Sequence, residues 1–205
     1  MFNTQEKRER ALGTKLFLKA HRCNSVKCVM TRKPFRPGMH GQARHTVSEV
    51  GTRLNEKQKI KVSYGLREAQ LRKIVDRAMK NPGVTGQVMV ELLERRLDNV
   101  VYRLGIAPSR SVARQLVGHG HITVDGRRTT IPSYLIGIGD KIGIRKESKD
   151  VGPLKDIQER VKNYNTPVWL QFNPDTLEGN MVSLPKDVEV PFDVNSVVDY
   201  YSNKK

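Results

Sequence analysis

The sequence predicts an α+β protein in which a series of helices leads into a compact module with a small sheet. Three observations support this prediction. Helical periodicity of apolar residues runs through residues 48–117, and a two-residue alternation with turn signals replaces it over 122–145. Residues 1–46 show no sustained period. A chain of 205 residues is long enough for one or two domains with real cores.

The charge distribution indicates a polyanionic partner. The chain has 37 Lys and Arg against 21 Asp and Glu, with a formal net charge of +16 and a sequence pI near 10.1. Residues 1–46 carry 11 basic groups against 2 acidic ones, whereas the last 56 residues carry 6 against 9. Such a basic, asymmetric chain favours nucleic acid as the partner over acidic lipid.

Composition also argues against several classes of protein. No apolar run approaches the roughly 20 residues of a membrane span, and the first residues lack the apolar core of a secretory signal. Two cysteines cannot make a disulfide framework, so we expect a reducing compartment. We therefore expect a protein without a membrane association.

The first 46 residues are predicted to form a basic extension. They hold glycines and prolines, and Phe17 and Phe35 lie among basic residues. A stretch with so few core residues is expected to need a partner for its order, and the aromatic and basic side chains suit RNA. The alternative is a solvated arm without a partner.

Three helices are predicted next. Ser48 can cap a helix to Tyr64 that ends at Gly65, with Val50, Leu54 and Ile60 spaced for one face. A second helix is predicted over 67–80, and a third, capped by Thr85, is predicted as one continuous amphipathic helix over 85–104. Gly105 ends it.

A helix followed by a small sheet is predicted for residues 109–145. Ser109 begins a short helix that ends at 118–120, and Asp125-Gly126 is a strong hairpin signal after the alternating strand 122–124. A closing strand is predicted over 141–145. Farther on, strands are predicted over 168–172 and 181–184, and a helix over 195–201.

No catalytic constellation is present in the sequence. The most site-like run is Gly118-His119-Gly120-His121, whose histidines at i and i+2 suit RNA contacts better than catalysis. Arg110 and Arg114 lie four residues apart on one predicted helix face, and Arg127 and Arg128 follow the hairpin turn. These arginines either bind phosphates or are ordinary solvated charges.

Cys23 and Cys28 are the only candidate metal ligands of their kind, in a C-x4-C pair. A closed zinc site needs four ligands, normally in two close pairs, and no second tight pair exists. Two reduced thiols are the simpler interpretation, so no cofactor is expected.

Several motifs, in order along nearly the whole chain, resemble the bacterial small-subunit ribosomal protein S4 family. They are Lys15-Leu16-Phe17-Leu18-Lys19, Arg36-Pro37-Gly38-Met39-His40-Gly41, Glu56-Lys57-Gln58-Lys59, Leu93-Glu94-Arg95-Arg96-Leu97-Asp98-Asn99, Val100-Val101-Tyr102-Arg103-Leu104-Gly105, Ala113-Arg114-Gln115-Leu116-Val117, His119-Gly120-His121-Ile122-Thr123-Val124, Ile131-Pro132-Ser133-Tyr134-Leu135, Pro167-Val168-Trp169-Leu170 and Leu177-Glu178-Gly179.

The resemblance implies a domain organisation. A basic N-terminal extension, residues 1–46, would precede a mainly helical domain, 47–94. A small RNA-binding domain, 95–155, would be inserted into it. The C-terminal segment, 156–205, would contribute a short β-hairpin plus a helix that pack on the helical domain and complete it.

The resemblance also implies a function. Family members bind small-subunit ribosomal RNA directly, nucleate assembly of the body of that subunit in the cytoplasm, and influence translational accuracy with neighbouring ribosomal proteins near the messenger RNA entrance channel. The residues expected to contact RNA are Lys15, Lys19, Arg22, Arg32, Lys33, Arg36, His40, Arg44, Lys57, Lys59, Arg72, Arg110, Arg114, His119, His121, Arg127 and Arg128.

The chain departs from the family pattern at one place. Many relatives carry a C-x2-C pair that joins the C-x4-C pair around zinc, and the matching positions here are Glu6 and Glu9. Two carboxylates with two thiolates are an unusual zinc set, so we expect a metal-free N-terminal region.

Two other functions are compatible with the small domain. The same small domain also precedes pseudouridine synthase domains, and Arg96-Leu97-Asp98 resembles the stretch that carries the catalytic Asp in those enzymes. However, only 50 residues follow position 155, which is too few for that catalytic domain. We expect Asp98 instead to be a helix-surface acid paired with Arg95 or Arg103. Heat-shock proteins that bind detached ribosomal subunits also carry the domain, but they lack the helical region.

Overall fold

The computed structural model describes residues 4–44, 46–148, 152–155, 157–162, 164–186 and 188–202. The chain divides into two compact units. The first contains the residues up to Val90 together with those from Val188 onward, and the second contains Glu91–Asp187. Within the described ranges, no helix is both long and apolar enough to cross a bilayer.

The fold is α+β and rich in helix, as predicted. The described helices are α1 (Thr4–Leu12), α2 (Ala20–Cys23), α3 (Val29–Arg32), α4 (Glu49–Ser63), α5 (Glu68–Met79), α6 (Thr85–Glu94), α7 (Leu97–Arg103), α8 (Arg110–Gly118), α9 (Ile157–Lys162) and α10 (Val194–Ser202). The strands are β1 (Ile122–Val124), β2 (Arg127–Arg128), β3 (Lys141–Ile144), β4 (Leu170–Asn173) and β5 (Glu178–Met181).

Helices α4 and α5 confirm the predicted helices over 48–64 and 67–80. The hydroxyl of Ser48 accepts a hydrogen bond from the Gly51 amide at 3.2 Å and caps α4, and Gly65 ends it with φ of +62°. The predicted apolar face of α4 is wrong in part. Ile60 is fully buried, but Val50 and Leu54 are exposed, at 66% and 38%.

Helix α10 closes the first unit against α4. The ring of Phe192, just before α10, packs edge-on to Tyr64 with centroids 6.2 Å apart. The Lys57 ammonium of α4 lies 4.5 Å from the ring centroid of Tyr200. The C-terminal helix predicted over 195–201 is therefore confirmed.

The N-terminal extension has more internal structure than the sequence predicts. Leu16, Cys23 and Cys28 are buried in it, and so is the carboxylate of Glu9. Oε1 of Glu9 accepts hydrogen bonds from the amides of Leu16 and Leu18, both at 3.1 Å. One buried acid thus stabilises a bend between α1 and α2 that composition alone does not reveal.

The single helix predicted over 85–104 is wrong, because α6 and α7 are separate helices. Arg96 is extended, with φ of −64° and ψ of 136°, and forms a bridge with Leu135. The amides of Leu97 and Asp98 donate to the carbonyls of Tyr134 and Pro132, at 2.8 and 3.1 Å. A neighbouring segment therefore supplies the hydrogen bonds that a continuous helix would have made locally.

The second unit is built on a five-stranded antiparallel sheet with strand order β2-β1-β3-β5-β4. The predicted hairpin is confirmed, since Asp125 and Gly126 turn with φ of +50° and +77°. Apolar residues of α7 and α8 share one core with the sheet, in which Ile122, Ile142 and Met181 are fully buried.

The C-terminal hairpin lies in the second unit. The predicted strands 168–172 and 181–184 correspond to β4 and β5, with the second strand beginning three residues earlier than predicted. Strand β5 pairs with β3 through Ile142 opposite Gly179, so the hairpin extends the sheet of the small module. The expectation that all of 156–205 packs on the helical domain is therefore not met, and only the portion with α10 does so.

Candidate nucleic-acid interface

The residues expected to contact RNA fall into both units. Those of the first unit are Lys15, Lys19, Arg22, Arg32, Lys33, Arg36, His40, Arg44, Lys57, Lys59 and Arg72, and those of the second are Arg110, Arg114, His119, His121, Arg127 and Arg128. Each group is described within its own unit.

A basic corner forms where α8 leads into β1 in the second unit. The rings of His119 and His121 lie 6.0 Å apart, and Nη2 of Arg128 donates to the carbonyl of His119 at 3.4 Å. Gly120, between the histidines, has φ of +76°, and a Cβ there would lie 2.1 Å from Nε of Arg128. A glycine is therefore required for the arginine to fold over this turn.

The basic corner affects the pKa of His121. Burial and then the positive charges of His119, Arg128 and Arg145 lower the pKa of His121. Its Nδ1 lies 2.9 Å from the hydroxyl of Ser148. A phosphate bound at the corner would offset this repulsion and favour the protonated imidazole.

Arg110 and Arg114 are fixed by internal contacts. Nε of Arg110 donates to Oδ1 of Asn99 at 2.8 Å, and its guanidinium lies 4.7 Å from the ring centroid of Tyr102. Nε of Arg114 lies 4.0 Å from Oδ2 of Asp98. Both arginines are only half-buried, so they can present fixed guanidinium groups at the surface of α8.

The expectation for Asp98 is wrong. The side chain is buried, and its two oxygens accept hydrogen bonds from Nε and Nη2 of Arg96 at 3.1 and 2.8 Å. Arg95 and Arg103, the expected partners, bind Glu91 and Glu94 instead. The break between α6 and α7 causes this difference. The pairing was predicted for one continuous helix, and the break changes which side chains lie on the same face.

Five of the eleven predicted basic residues of the first unit are exposed to solvent. Lys15 lies with its ammonium 4.8 Å from the ring centroid of Phe17, while Lys19 and Arg36 are half-buried. The exposed residues are Arg32, Lys33, His40, Arg44 and Arg72. These side chains can reach a phosphate backbone without disturbing the core.

Three predicted residues are engaged with carboxylates. Lys57 is buried, and its ammonium donates to Glu68 at 2.9 Å. Lys59 pairs with Glu56 at 2.6 Å, and Arg22 pairs with Glu6 at 3.0 Å. Lys57 therefore stabilises the fold in this conformation, because moving its ammonium away from Glu68 would leave a buried charge without its partner.

The N-terminal acids and thiols already have partners within the fold. Both oxygens of Glu9 lie 3.9 Å from Sγ of Cys23, which donates to them, and the Glu9 carboxylate already binds two backbone amides. Burial, with Glu9 and Cys28 nearby, raises the pKa of Cys23, which favours the thiol over the metal-binding thiolate. Among the described residues, no group of three or more His, Cys, Asp or Glu side chains is arranged to hold a metal.

Sequence reasoning misses Arg145 as a member of the basic corner. It directly follows β3 and is far from the histidines along the chain, but its amide donates to the carbonyl of His121 at 2.9 Å. The signal available in the sequence is its position at the end of the predicted closing strand, which must pair with the strand beginning at Ile122.

Comparison with known proteins covers nearly the whole chain. Residues 3–94 match the ribosomal protein S4/S9 N-terminal domain, and residues 95–142 match the S4 domain. The small ribosomal subunit proteins uS4 of Pelotomaculum thermopropionicum and Acetivibrio thermocellus are 45% and 43% identical to this chain over 192 residues. In both comparisons the match covers 93% of this chain and 92% of the relative.

A third relative, the small ribosomal subunit protein uS4A of Alkaliphilus oremlandii, is 46% identical over the same shares of the two chains. The boundary between the two matched regions falls at Glu94 and Arg95, where α6 ends before the extended Arg96. With both regions matched in order and such identity over nine-tenths of its length, the chain belongs to the ribosomal protein S4 family.

Proposed function

We propose that this protein is a structural component of the small ribosomal subunit that binds the RNA of that subunit directly. The observation that carries the proposal is the match of the chain to ribosomal relatives over 93% of its length. Its relatives are named as proteins of the small ribosomal subunit, so the cytoplasmic small subunit is the proposed location.

The placement of basic residues supports direct RNA binding. In the second unit, His119, Arg127 and Arg128 are exposed around one end of the sheet, with Arg110 and Arg114 on α8. In the first unit the exposed basic residues lie in the N-terminal extension and on α5. Such a distribution suits an RNA that contacts both units through its phosphates.

We further infer that the protein nucleates assembly of the body of the subunit and contributes to translational accuracy. Its partners would include neighbouring small-subunit proteins and messenger RNA near the entrance channel. These roles follow from the family resemblance and from the net charge of +16, which suits early capture of RNA.

An enzymatic role is not proposed. The two hydrogen bonds from Arg96 to the buried Asp98 argue against Asp98 as the catalytic acid of a pseudouridine synthase, since a catalytic group must reach its substrate. The match of residues 3–94 to a ribosomal N-terminal domain favours a ribosomal protein over a heat-shock RNA binder.

Salt dependence of binding tests the proposal. Replacing Arg127 and Arg128 by Gln is expected to weaken binding to small-subunit RNA, because counterions released by phosphate contacts drive such binding. The slope of log affinity against log salt should fall in magnitude by about 0.7–0.9 for each phosphate that the protein no longer neutralises. Filter binding of the full chain over a salt series measures both quantities.

The matched control is Lys155→Gln with Lys186→Gln, two exposed residues of the net-acidic C-terminal region. It removes the same charge and should change the slope much less. Equal slopes for the two double variants would show that Arg127 and Arg128 contribute only non-specific charge to RNA binding. Formation of pseudouridine in the RNA by the purified protein would contradict the structural role.

A further inference from the structure

A cleft of about 600 Å³ opens in the first unit between α1 and α4. One wall carries Arg8, Ala11 and Leu12, which are spaced i, i+3, i+4 and so share one face of α1. The other wall carries Gln58, Lys61 and Val62, with the same spacing on α4. The turn from Gly65 to Glu68 closes one end.

The rim of this cleft is positively charged. Arg8 and Arg67 are exposed, and the side chain of Lys61 is 28% exposed. Glu68 is the acid in the lining, but its carboxylate accepts hydrogen bonds from Lys57 at 2.9 Å, Lys61 at 3.2 Å and Tyr201 at 2.8 Å. The negative charge of Glu68 is thus compensated within the fold, and the cleft attracts anions.

The floor of the cleft is apolar. Leu66 is buried there, and Leu12 and Val62 are half-buried on the two helices. A cleft of this size lies within the range of sites for small organic ligands, roughly 300–1,000 Å³. A free phosphate or sulfate would satisfy the rim and leave the apolar floor uncovered, so the lining suits a ligand with both an anionic and a flat apolar part.

We propose that this cleft holds one unpaired nucleotide of the ribosomal RNA, with its base against Leu12 and Val62 and its phosphate toward Arg8 and Arg67. The inference rests on the proposed function, because it takes RNA as the ligand. Unpaired bases are the parts of RNA that proteins splay out and bury, whereas paired bases stay stacked in the duplex. The same chemistry in a free nucleotide is the alternative source that the experiment separates.

Filling the cleft without changing its charge tests the base. Ala11 is exposed on α1, and Ala11→Phe places a ring in the cleft where the base would lie. Affinity of the full chain for small-subunit RNA is expected to fall by about 5-fold or more, because an excluded base loses its apolar contact with Leu12 and Val62. Ala11→Ser, which leaves the space open, should bind like the unchanged protein.

Removing charge tests the phosphate. Arg8→Gln with Arg67→Gln should weaken binding and lower the salt slope by about 0.7 for a single-stranded phosphate contact. The matched control is Lys155→Gln with Lys186→Gln, two exposed residues that do not line the cleft and that the candidate interface does not include. If Ala11→Phe proves unfolded by circular dichroism, this comparison still decides the proposal.

The outcomes separate the cleft from the proposed function. Weaker binding by the cleft variants alone supports the proposal. Unchanged RNA binding by Ala11→Phe, or equal slopes for the two charge variants, overturns it while the proposed function stands. Saturation of the cleft by uridine monophosphate alone, with RNA binding insensitive to Ala11→Phe, identifies a free nucleotide and also overturns it. Failure of the unchanged protein to bind the RNA overturns both.

Discussion

Glu94 organises a group of polar side chains at the end of α6. Its side chain is fully buried, and its two oxygens accept hydrogen bonds from Nε and Nη2 of Arg103, both at 2.9 Å. Oε2 also accepts a hydrogen bond from Asn99 at 2.8 Å. Since Asn99 in turn binds Arg110, one buried carboxylate helps to position an arginine of the candidate interface.

We expect Glu94→Gln to lower the free energy of unfolding by about 3 kcal/mol, because it removes one partner of a buried ion pair. The control is Glu91→Gln, which breaks the more exposed pair with Arg95 and should cost less than about 1 kcal/mol. Urea unfolding of the two variants measures the difference. Equal losses would mean that burial of Glu94 adds nothing to its pairing.

Glu68 makes the stability of the first unit depend on pH. Burial by itself would raise the pKa of Glu68, but hydrogen bonds from Lys57, Tyr201 and Lys61 lower it from 4.5 to about 2. The folded state therefore binds this proton more weakly than the unfolded chain does. The resulting stability is present above about pH 4.5 and is lost as the pH falls toward 2.

Glu68→Gln is thus expected to lower the melting temperature at pH 6 and to have little effect near pH 2. Because the Glu68 side chain is 46% exposed, solvent screens its ion pairs, and the effect should be about 1 kcal/mol. Thermal melts of both proteins between pH 2 and 6 check this. A difference that is constant over that range would contradict the role of the Glu68 charge.

At the scale of elements, the turn between α8 and β1 controls the basic corner. Gly120→Ala is expected to destabilise the protein by about 1–2 kcal/mol, because Gly120 has a left-handed backbone, and to displace Arg128. Gly118→Ala is the control, since among the described residues no other segment comes within 4 Å of its Cβ position, and Ala is favoured in a helix. Only Gly120→Ala should weaken RNA binding in filter assays.

The N-terminal extension is expected to be stable without metal. Elemental analysis of the purified protein should find less than one zinc per chain, and the double variant Cys23→Ser, Cys28→Ser should still bind ribosomal RNA. Glu9→Ala, in contrast, leaves the amides of Leu16 and Leu18 without their acceptor and should open the extension to protease. One tightly bound zinc per chain would show that these residues rearrange around a metal.

How far the sequence predicts this fold depends on where the hydrogen bonds of each segment go. Helices α4, α5 and α8 are local, so caps such as Ser48 and Ser109 reveal them. The break at Arg96 and the pairing of β5 with β3 depend on residues far along the chain, which periodicity does not report. For the same reason, the sequence indicates that the predicted arginines reach the surface but not that they bind Asn99 and Asp98.

At the scale of the whole molecule, the two units have different needs for the C-terminal residues. Deleting 188–205 removes α10 together with Phe192 and Tyr200, which contact Tyr64 and Lys57 in the first unit. We expect amide protection of α4 and α5 to fall in hydrogen exchange while that of β1 and β3 persists. Unchanged protection of α4 would show that α10 is dispensable for the first unit.

The packing of α10 on α4 also sets an order of events at the ribosome that makes this protein. A nascent chain normally folds its N-terminal domain first. Here the residues of the second unit, Glu91–Asp187, have all been synthesised before α10 is made. Helix α4 can pack against α10 only after that. The second unit can therefore fold during synthesis before α4 and α5 receive their packing partner α10.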